Sequence, residues 1–133
     1  MIYLPDTNAC VQLLRSGNTT LLSHWRSINP SDIAMCSIVV YELRYGACRC
    51  SDPARENSKL DQFFAPMISL AFDDECAGIA AQLRAELERK GMRIGPHDLQ
   101  IASVAMLHNL TLVTHNVSEF NRVPGLKWVD WQE

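Results

Sequence analysis

Four acidic residues stand where this sequence predicts the end of a strand or the start of a helix. These residues, called here the four acids, are Asp6, Glu42, Asp98 and Glu119. Carboxylates gathered in one small pocket repel each other and raise one another's pKa values unless a cation balances them. Hard oxygen ligands of this kind suit Mg²⁺ or Mn²⁺, which keep several waters and coordinate substrate phosphate. If the fold gathers the four acids, the predicted chemistry is metal-assisted hydrolysis of a phosphodiester.

Each acid taken alone also has an ordinary structural explanation. Asp98 would favour a helix dipole by roughly 0.3–1 kcal/mol, and Glu42 would suit a solvated helix face. Thr7 or Asn8 would cap the helix that follows Asp6, which leaves Asp6 as a costly carboxylate at the end of a buried strand. All four acids fall at the same edge of the predicted sheet, and separate structural roles do not explain that coincidence.

The elements that position the acids alternate along the chain. Strands are predicted near residues 2–5, 33–37, 67–72, 110–114 and 126–129, and helices near residues 9–15, 19–25, 38–48, 53–64, 73–90 and 96–108. Gly17 is expected to close the first helix, and Ser37 to cap the third. This alternation predicts an α/β fold with a doubly wound, mainly parallel sheet of about five strands. Ligands bind at the carboxyl edge of such sheets.

Composition limits the class of protein. A chain of 133 residues, 47% hydrophobic and 20% charged, predicts one globular domain over residues 1–133. No apolar run approaches a membrane span and no signal peptide is visible, so the expected location is the cytoplasm. Five cysteines without framework spacing predict reduced thiols, with a zinc site at Cys48 and Cys50 as a minor alternative. The net charge of −3 argues against a broad basic face but does not exclude a nuclease.

Ordered motifs over the whole chain resemble those of the PIN-domain ribonucleases, in particular the VapC-type toxins of type II toxin–antitoxin pairs. The matching segments are Asp6-Thr7-Asn8, Ser37 with Glu42, Pro96-His97-Asp98 followed by Ile101-Ala102, Thr114-His115-Asn116 with Glu119-Phe120, and Arg122-Val123-Pro124-Gly125-Leu126. The resemblance implies a PIN-like open α/β/α sandwich. It also implies an endoribonuclease toxin that cleaves tRNA or rRNA and so inhibits translation.

The same resemblance implies a cofactor, partners and supporting residues. The four acids would hold Mg²⁺, with Mn²⁺ able to substitute. Four further side chains would hydrogen-bond around them: Thr7, Ser37, Thr114 and Asn116. The implied partners are an RNA substrate and a cognate VapB-type antitoxin, in a homodimer and a toxin–antitoxin hetero-oligomer, with no membrane partner.

Three positions depart from the usual pattern of the family. Pro5 stands where an aliphatic residue is usual, and a proline inside a strand removes a hydrogen-bond donor. Asn116 stands where many relatives carry another acid, which bears on whether one or two metal ions bind. His97 replaces a residue that is more often aromatic or small and polar.

Three other functions are compatible with parts of the sequence. A PIN scaffold could bind RNA or an antitoxin without cleaving, although all four acids are intact. A metal-free ribonuclease could use His97 and His115 as proton carriers, but the four acids would then have no role. A phosphoreceiver-like domain would need an acidic pair and a lysine at a strand end, whereas here the acids are single and Lys127 begins an edge strand.

Overall fold

The structure, a computed structural model, describes residues 1–133, and short parallel strands form its centre. The strands are β1 (Tyr3–Pro5), β2 (Ala34–Cys36), β3 (Ile68–Leu70), β4 (Thr111–Val113) and β5 (Trp128–Val129). One ladder has the order β1-β4-β5, the other pairs β2 with β3, and a single parallel bridge from Tyr3 to Ile33 joins them. The parallel α/β class is confirmed, and the largest ladder has three strands, fewer than the five or so expected.

The helices follow the predicted alternation. They are α1 (Thr7–Arg15), α2 (Thr19–Ser27), α3 (Ser37–Cys48), α4 (Pro53–Phe64), α5 (Asp74–Arg89), α6 (Pro96–Leu107) and the short α7 (Val117–Phe120). Every predicted helix is present, and α7 is additional. None of them has the length and apolar character needed to cross a membrane.

Both faces of the β1–β4 ladder are buried, because successive strand residues point to opposite sides of a sheet. Leu112 packs in the main core beside Val39 of α3 and Ile101 of α6. The next residue, Val113, packs on the other side in a smaller cluster with Leu13, Leu21 and Trp131. Helices therefore cover both sides of the ladder, which gives the α/β/α layering.

Pro5 accounts for the narrow junction between the two ladders. The Asp6 backbone N–H donates to the Val113 carbonyl of β4 at 3.0 Å, so the nitrogen of the preceding residue faces the β2 side. A proline there has no N–H to donate, and pairing between β1 and β2 is reduced to the one bridge at Tyr3. The departure at Pro5 thus weakens the sheet beside β2 without disturbing the β1–β4 ladder.

The first helix ends at Arg15 as predicted, but its predicted first residue and both predicted capping residues were wrong. Helix α1 begins at Thr7, and its N-cap is Asp6, whose Oδ1 accepts from the Ala9 backbone N–H at 2.8 Å. The residue that closes the helix is Ser16, in the left-handed conformation with φ 51°, one position before Gly17. Asp6 is therefore both a helix cap and a carboxylate at the end of β1.

The predicted cap of the third helix was also wrong. Cys36 occupies the N-cap position without a side-chain bond, because β2 runs directly into α3 and Ser37 is already helical. The Ser37 hydroxyl instead accepts from the Phe72 backbone N–H at 3.0 Å. This bond ties the start of α3 to the segment after β3.

The cysteines form no disulfide and no metal site. Cys10, Cys36 and Cys76 are buried free thiols, whereas Cys48 and Cys50 are exposed. No group of three potential ligands is arranged to hold an ion around them. The zinc alternative therefore has no structural support.

Candidate active site

Asp6 is the most deeply buried of the four acids. Its side chain lies at the carboxyl end of β1, and the residue is 4% exposed. Oδ1 accepts from the Ala9 backbone N–H, and Oδ2 accepts from the Thr114 hydroxyl at 2.6 Å. Burial raises the pKa of Asp6 above its ordinary value, and the two hydrogen bonds oppose that rise. Both oxygens are thus held by neutral donors, with no lysine or arginine in reach.

Thr114 joins the ends of the two central strands. It is buried, and its hydroxyl donates to Asp6 while accepting from the Asn116 backbone N–H at 3.0 Å. The register that pairs Pro5 with Val113 brings these residues side by side. The structure thus places Thr114 in hydrogen-bond contact with one of the four acids, as the resemblance to the PIN-domain ribonucleases implies.

Glu42 connects three helices rather than facing solvent. Its Oε1 accepts from the Thr7 hydroxyl at the start of α1. Its Oε2 lies 3.1 Å from Nδ1 of His97 at the start of α6. The solvated-face explanation of Glu42 is therefore wrong, because both carboxylate oxygens have partners on other elements.

Asp98 is also harder to ionise than an exposed aspartate. Burial raises its pKa to about 7, with further contributions from its hydrogen bond with Glu119 and from the negative charges of Asp6, Glu119 and Glu42. Glu119 in turn accepts from the Asn116 side-chain amide at 2.9 Å. The loss of solvent and the neighbouring carboxylates therefore both disfavour the ionised form of Asp98.

These side chains surround an open cleft of about 540 Å³. The cleft is lined by Asp6, Thr7, Asn8, Val11, Glu42, Asp98, His115 and Asn116. It lies beside β1 and β4, the neighbouring strands at which the order of strands in the sheet reverses. Ligand sites in doubly wound sheets are expected at such a point. A larger groove of about 620 Å³ along α5 and α6 is lined mainly by apolar side chains and contains none of the four acids.

The predicted site residues are not all equivalent in the structure. Three of the four acids line the cleft, and Glu119 lies behind Asp98. Of the supporting residues, Thr7, Thr114 and Asn116 each donate to one of the acids. Ser37 does not, contrary to expectation, because its hydroxyl is used by Phe72.

The donor set fits Mg²⁺ or Mn²⁺. Apart from the His115 imidazole, the donors that line the cleft are carboxylate, hydroxyl and amide oxygens without a thiolate. None of the four acids forms an ion pair with lysine or arginine. No three of the side chains converge into a closed metal cage. A magnesium ion that keeps several waters needs only one or two direct carboxylates, so an open cleft of this kind suits it.

Asp130 is a site residue that sequence reasoning missed. Its side chain is 6% exposed, and Oδ2 lies 2.9 Å from Nδ1 of His115, which lines the cleft. Asp130 directly follows β5, just as Asp6 directly follows β1. A search for acidic residues directly after each predicted strand would have identified Asp130 if it had included the last strand.

Comparison with known proteins gives consistent matches along the whole chain. Residues 3–126 match the PIN domain family. Ribonuclease VapC2 of Rickettsia felis is 38% identical, with 100% of both chains covered. The tRNA(fMet)-specific endonuclease VapC of Salmonella typhimurium is 34% identical, with 97% of each covered.

Two solved structures share the fold closely. VapBC2 from Rickettsia felis, bound to a DNA fragment of its promoter, matches with a TM-score of 0.88 and 38% identity over 98% of this chain and 99% of that chain. DNA-bound VapBC from Salmonella typhimurium matches with a TM-score of 0.91 and 34% identity over 98% of each chain.

Proposed function

This chain belongs to the PIN-domain family and, within it, to the VapC ribonucleases, and we propose that it is a Mg²⁺-dependent endoribonuclease toxin. The observation that carries the metal dependence is the cleft beside β1 and β4. Three acids from separate elements line it, Glu119 of α7 lies behind Asp98, and the cleft lining contains no lysine or arginine. Such a concentration of negative charge can approach an RNA phosphate only when a cation balances it.

The residues that would hold the ion are Asp6, Glu42 and Asp98 at the cleft surface, with Glu119 supporting Asp98. The bound ion would supply charge neutralisation and an activated water. The chain supplies orientation, because Thr114 and Thr7 fix the carboxylates of Asp6 and Glu42 before substrate arrives. No protein nucleophile is needed, so the products should carry a 5′-phosphate and a 3′-hydroxyl.

The relatives suggest the substrate and the partner. One relative is named as a tRNA(fMet)-specific endonuclease, so tRNA is the first substrate class to test, followed by rRNA. The related structures are VapBC complexes bound to DNA. By analogy, this chain would be neutralised by a cognate VapB-type antitoxin and would form a homodimer within a toxin–antitoxin hetero-oligomer.

The direct test is cleavage of tRNA and rRNA by the purified protein with Mg²⁺, with Mn²⁺ and with EDTA. We expect cleavage with either ion and none with EDTA. Glu42→Gln should be inactive, whereas the matched variant Glu88→Gln on exposed α5 should match the parent. Products with a 2′,3′-cyclic phosphate would contradict the mechanism and favour the metal-free histidine alternative. RNA binding without cleavage would indicate a non-cleaving scaffold.

A further inference from the structure

His115 and Asp130 form a fixed pair at the wall of the cleft. The Thr114 backbone N–H donates to the Val129 carbonyl at 3.0 Å, and this pairing of β4 with β5 sets His115 beside Asp130. Trp131, buried against Tyr3 and His24, anchors the segment that carries Asp130. The pair is therefore held by the fold rather than by a mobile surface loop.

The pairing determines which ring nitrogen of His115 is free. Oδ2 of Asp130 faces Nδ1 of His115, and Oδ1 accepts from the Gln132 backbone N–H at 2.9 Å. An ionised carboxylate only accepts hydrogen bonds, so Nδ1 carries a hydrogen. Nε2 is then the ring nitrogen available to a ligand, and His115, with 52% of its side chain exposed, can present it.

The composition of the cleft indicates what that ligand is. Among the residues that line it, only His115 can carry a positive charge, since the others are acids, neutral polar residues and one valine. The other histidine near the acids, His97, is paired with Glu42. Of the residues that line the cleft, His115 is therefore the one that could offer a positively charged donor to an RNA phosphate.

We propose that His115, oriented by Asp130 at Nδ1, places Nε2 against a phosphate oxygen of RNA bound in the cleft and donates a hydrogen bond to it. In this assignment His115 contacts the substrate, and Asp130 is a positioning residue that acts through His115. The assignment rests on the proposed ribonuclease function, because it requires RNA to occupy the acidic cleft. It adds a protein cation to a site otherwise built from acids.

A cycle of substitutions separates this role from a structural one. His115→Gln should lower kcat/KM for tRNA with Mg²⁺ by about 10-fold or more, as expected for loss of a charged hydrogen bond to phosphate. Asp130→Asn, which keeps an oxygen for the Gln132 N–H, should lower it by less. The double variant should equal His115→Gln within about 2-fold, because Asp130 acts through His115. His108→Gln, an exposed histidine after α6, is the matched control and should equal the parent.

The salt dependence of RNA affinity is a measurement that His115→Gln would leave unchanged if His115 had a purely structural role. In the Asp98→Asn background, with Mg²⁺ at one fixed concentration, we would measure the affinity of a single-stranded oligoribonucleotide at several salt concentrations. Loss of one cation–phosphate contact should reduce the slope of log affinity against log salt by about 0.7. His115→Gln should show that reduction and His108→Gln should not.

The cleavage assay and the RNA-binding assay together distinguish failure of this proposal from failure of the proposed function. If the parent cleaves RNA but His115→Gln cleaves equally well, the His115 assignment is overturned and the ribonuclease function stands. If the parent does not cleave, the salt dependence of RNA binding still decides whether His115 contacts phosphate. Additive losses in the double variant would overturn the positioning role of Asp130.

Discussion

Two aspartates in this protein cap helices in nearly the same way but have opposite pKa shifts. Asp6 accepts from the Ala9 backbone N–H at the start of α1, and Asp73 accepts from the Cys76 backbone N–H at the start of α5. The hydrogen bond from Cys76 lowers the pKa of Asp73, which faces solvent. Burial raises the pKa of Asp6, and the nearby charges of Glu42 and Asp130 add to the rise.

The difference shows that the cap alone does not define the chemistry of either residue. A backbone N–H stabilises the ionised form at both positions. At α1 this stabilisation is outweighed by burial, with other acids adding to the rise, whereas at α5 the hydrogen bonds with Cys76 outweigh the small effect of burial. The cap of α5 is a structural feature, and the cap of α1 is also part of the cleft in which we propose that a cation binds.

The largest expected contrast between the two caps is in activity. Asp6→Asn should lower RNA cleavage with Mg²⁺ by about 100-fold or more, because it removes a cleft carboxylate that would hold the ion. Asn is also a good N-cap, so the helix should remain intact. Asp73→Asn should retain activity within about 2-fold. Rates of RNA cleavage would be compared for both variants, with circular dichroism to check that each is folded. Equal losses of activity would mean that capping explains the requirement for Asp6.

The next contrast is in stability against pH without metal. The pKa of Asp98 is raised to about 7, so the folded protein keeps a proton that the unfolded chain releases near pH 4. The free energy of unfolding therefore decreases as the pH rises from about 4 to 7, and this decrease is complete above pH 7. Asp98→Asn should unfold like the parent below pH 4 and be more stable by roughly 1–3 kcal/mol at pH 8, after allowance for solvent screening.

Thermal unfolding in EDTA from pH 4 to 8 would measure this difference. Adding Mg²⁺ should raise the melting temperature of the parent and raise that of Asp98→Asn less, because the variant has lost a ligand. Asp74→Asn, in the exposed first turn of α5, serves as the control. An Asp98→Asn protein that is less stable than the parent at pH 8 would favour the simple helix-dipole role of Asp98.

A smaller effect is expected when Thr114, a hydrogen-bond partner of the capping residue Asp6, is changed instead of Asp6 itself. Thr114→Val removes the hydroxyl that donates to Asp6 and accepts from the Asn116 N–H, at almost constant volume. The pKa of Asp6 should rise further, and cleavage should fall by about 10-fold. Steady-state cleavage rates would test this. Full activity in Thr114→Val would show that Asp6 does not need this orientation.

The smallest effect is expected at the cap of α5. The pKa of Asp73 is lowered in the folded protein, so its contribution to stability is present above its ordinary pKa and is lost on acidification. Asp73→Asn should therefore be slightly less stable than the parent at pH 7 and equal to it in strong acid. This direction is opposite to that of Asp98→Asn. Unfolding by urea at pH 3 and pH 7 would compare the two.

Local patterns in the sequence were sufficient to predict most of the fold. Each predicted helix is present because apolar spacing, Pro at a first turn and acids near a helix start are interactions between residues close in sequence. The strands β1 and β4 were identified for a similar reason, as short apolar runs that end in polar residues. The resemblance of spaced motifs then identified the four acids before any contact between them was known.

The tertiary structure decided which partner each polar group meets. Sequence reasoning placed the first cap at Thr7 or Asn8, although the bond from the Ala9 N–H to Asp6 is local. It could not show that Thr114 holds the other oxygen of Asp6 across the sheet. It assigned Ser37 to the acids, whereas the hydroxyl bonds to Phe72, a residue brought near by the pairing of β2 with β3.

The sequence by itself therefore determined the order of helices and strands, the family and the set of acids that could bind a cation. Only the tertiary structure decided that Asp130 holds His115 at the cleft wall and that burial brings the pKa of Asp98 to about 7. Helix formation depends on neighbours within a few residues, whereas burial and charge coupling depend on distances between residues far apart in the chain. Those distances arise only when the strands pair.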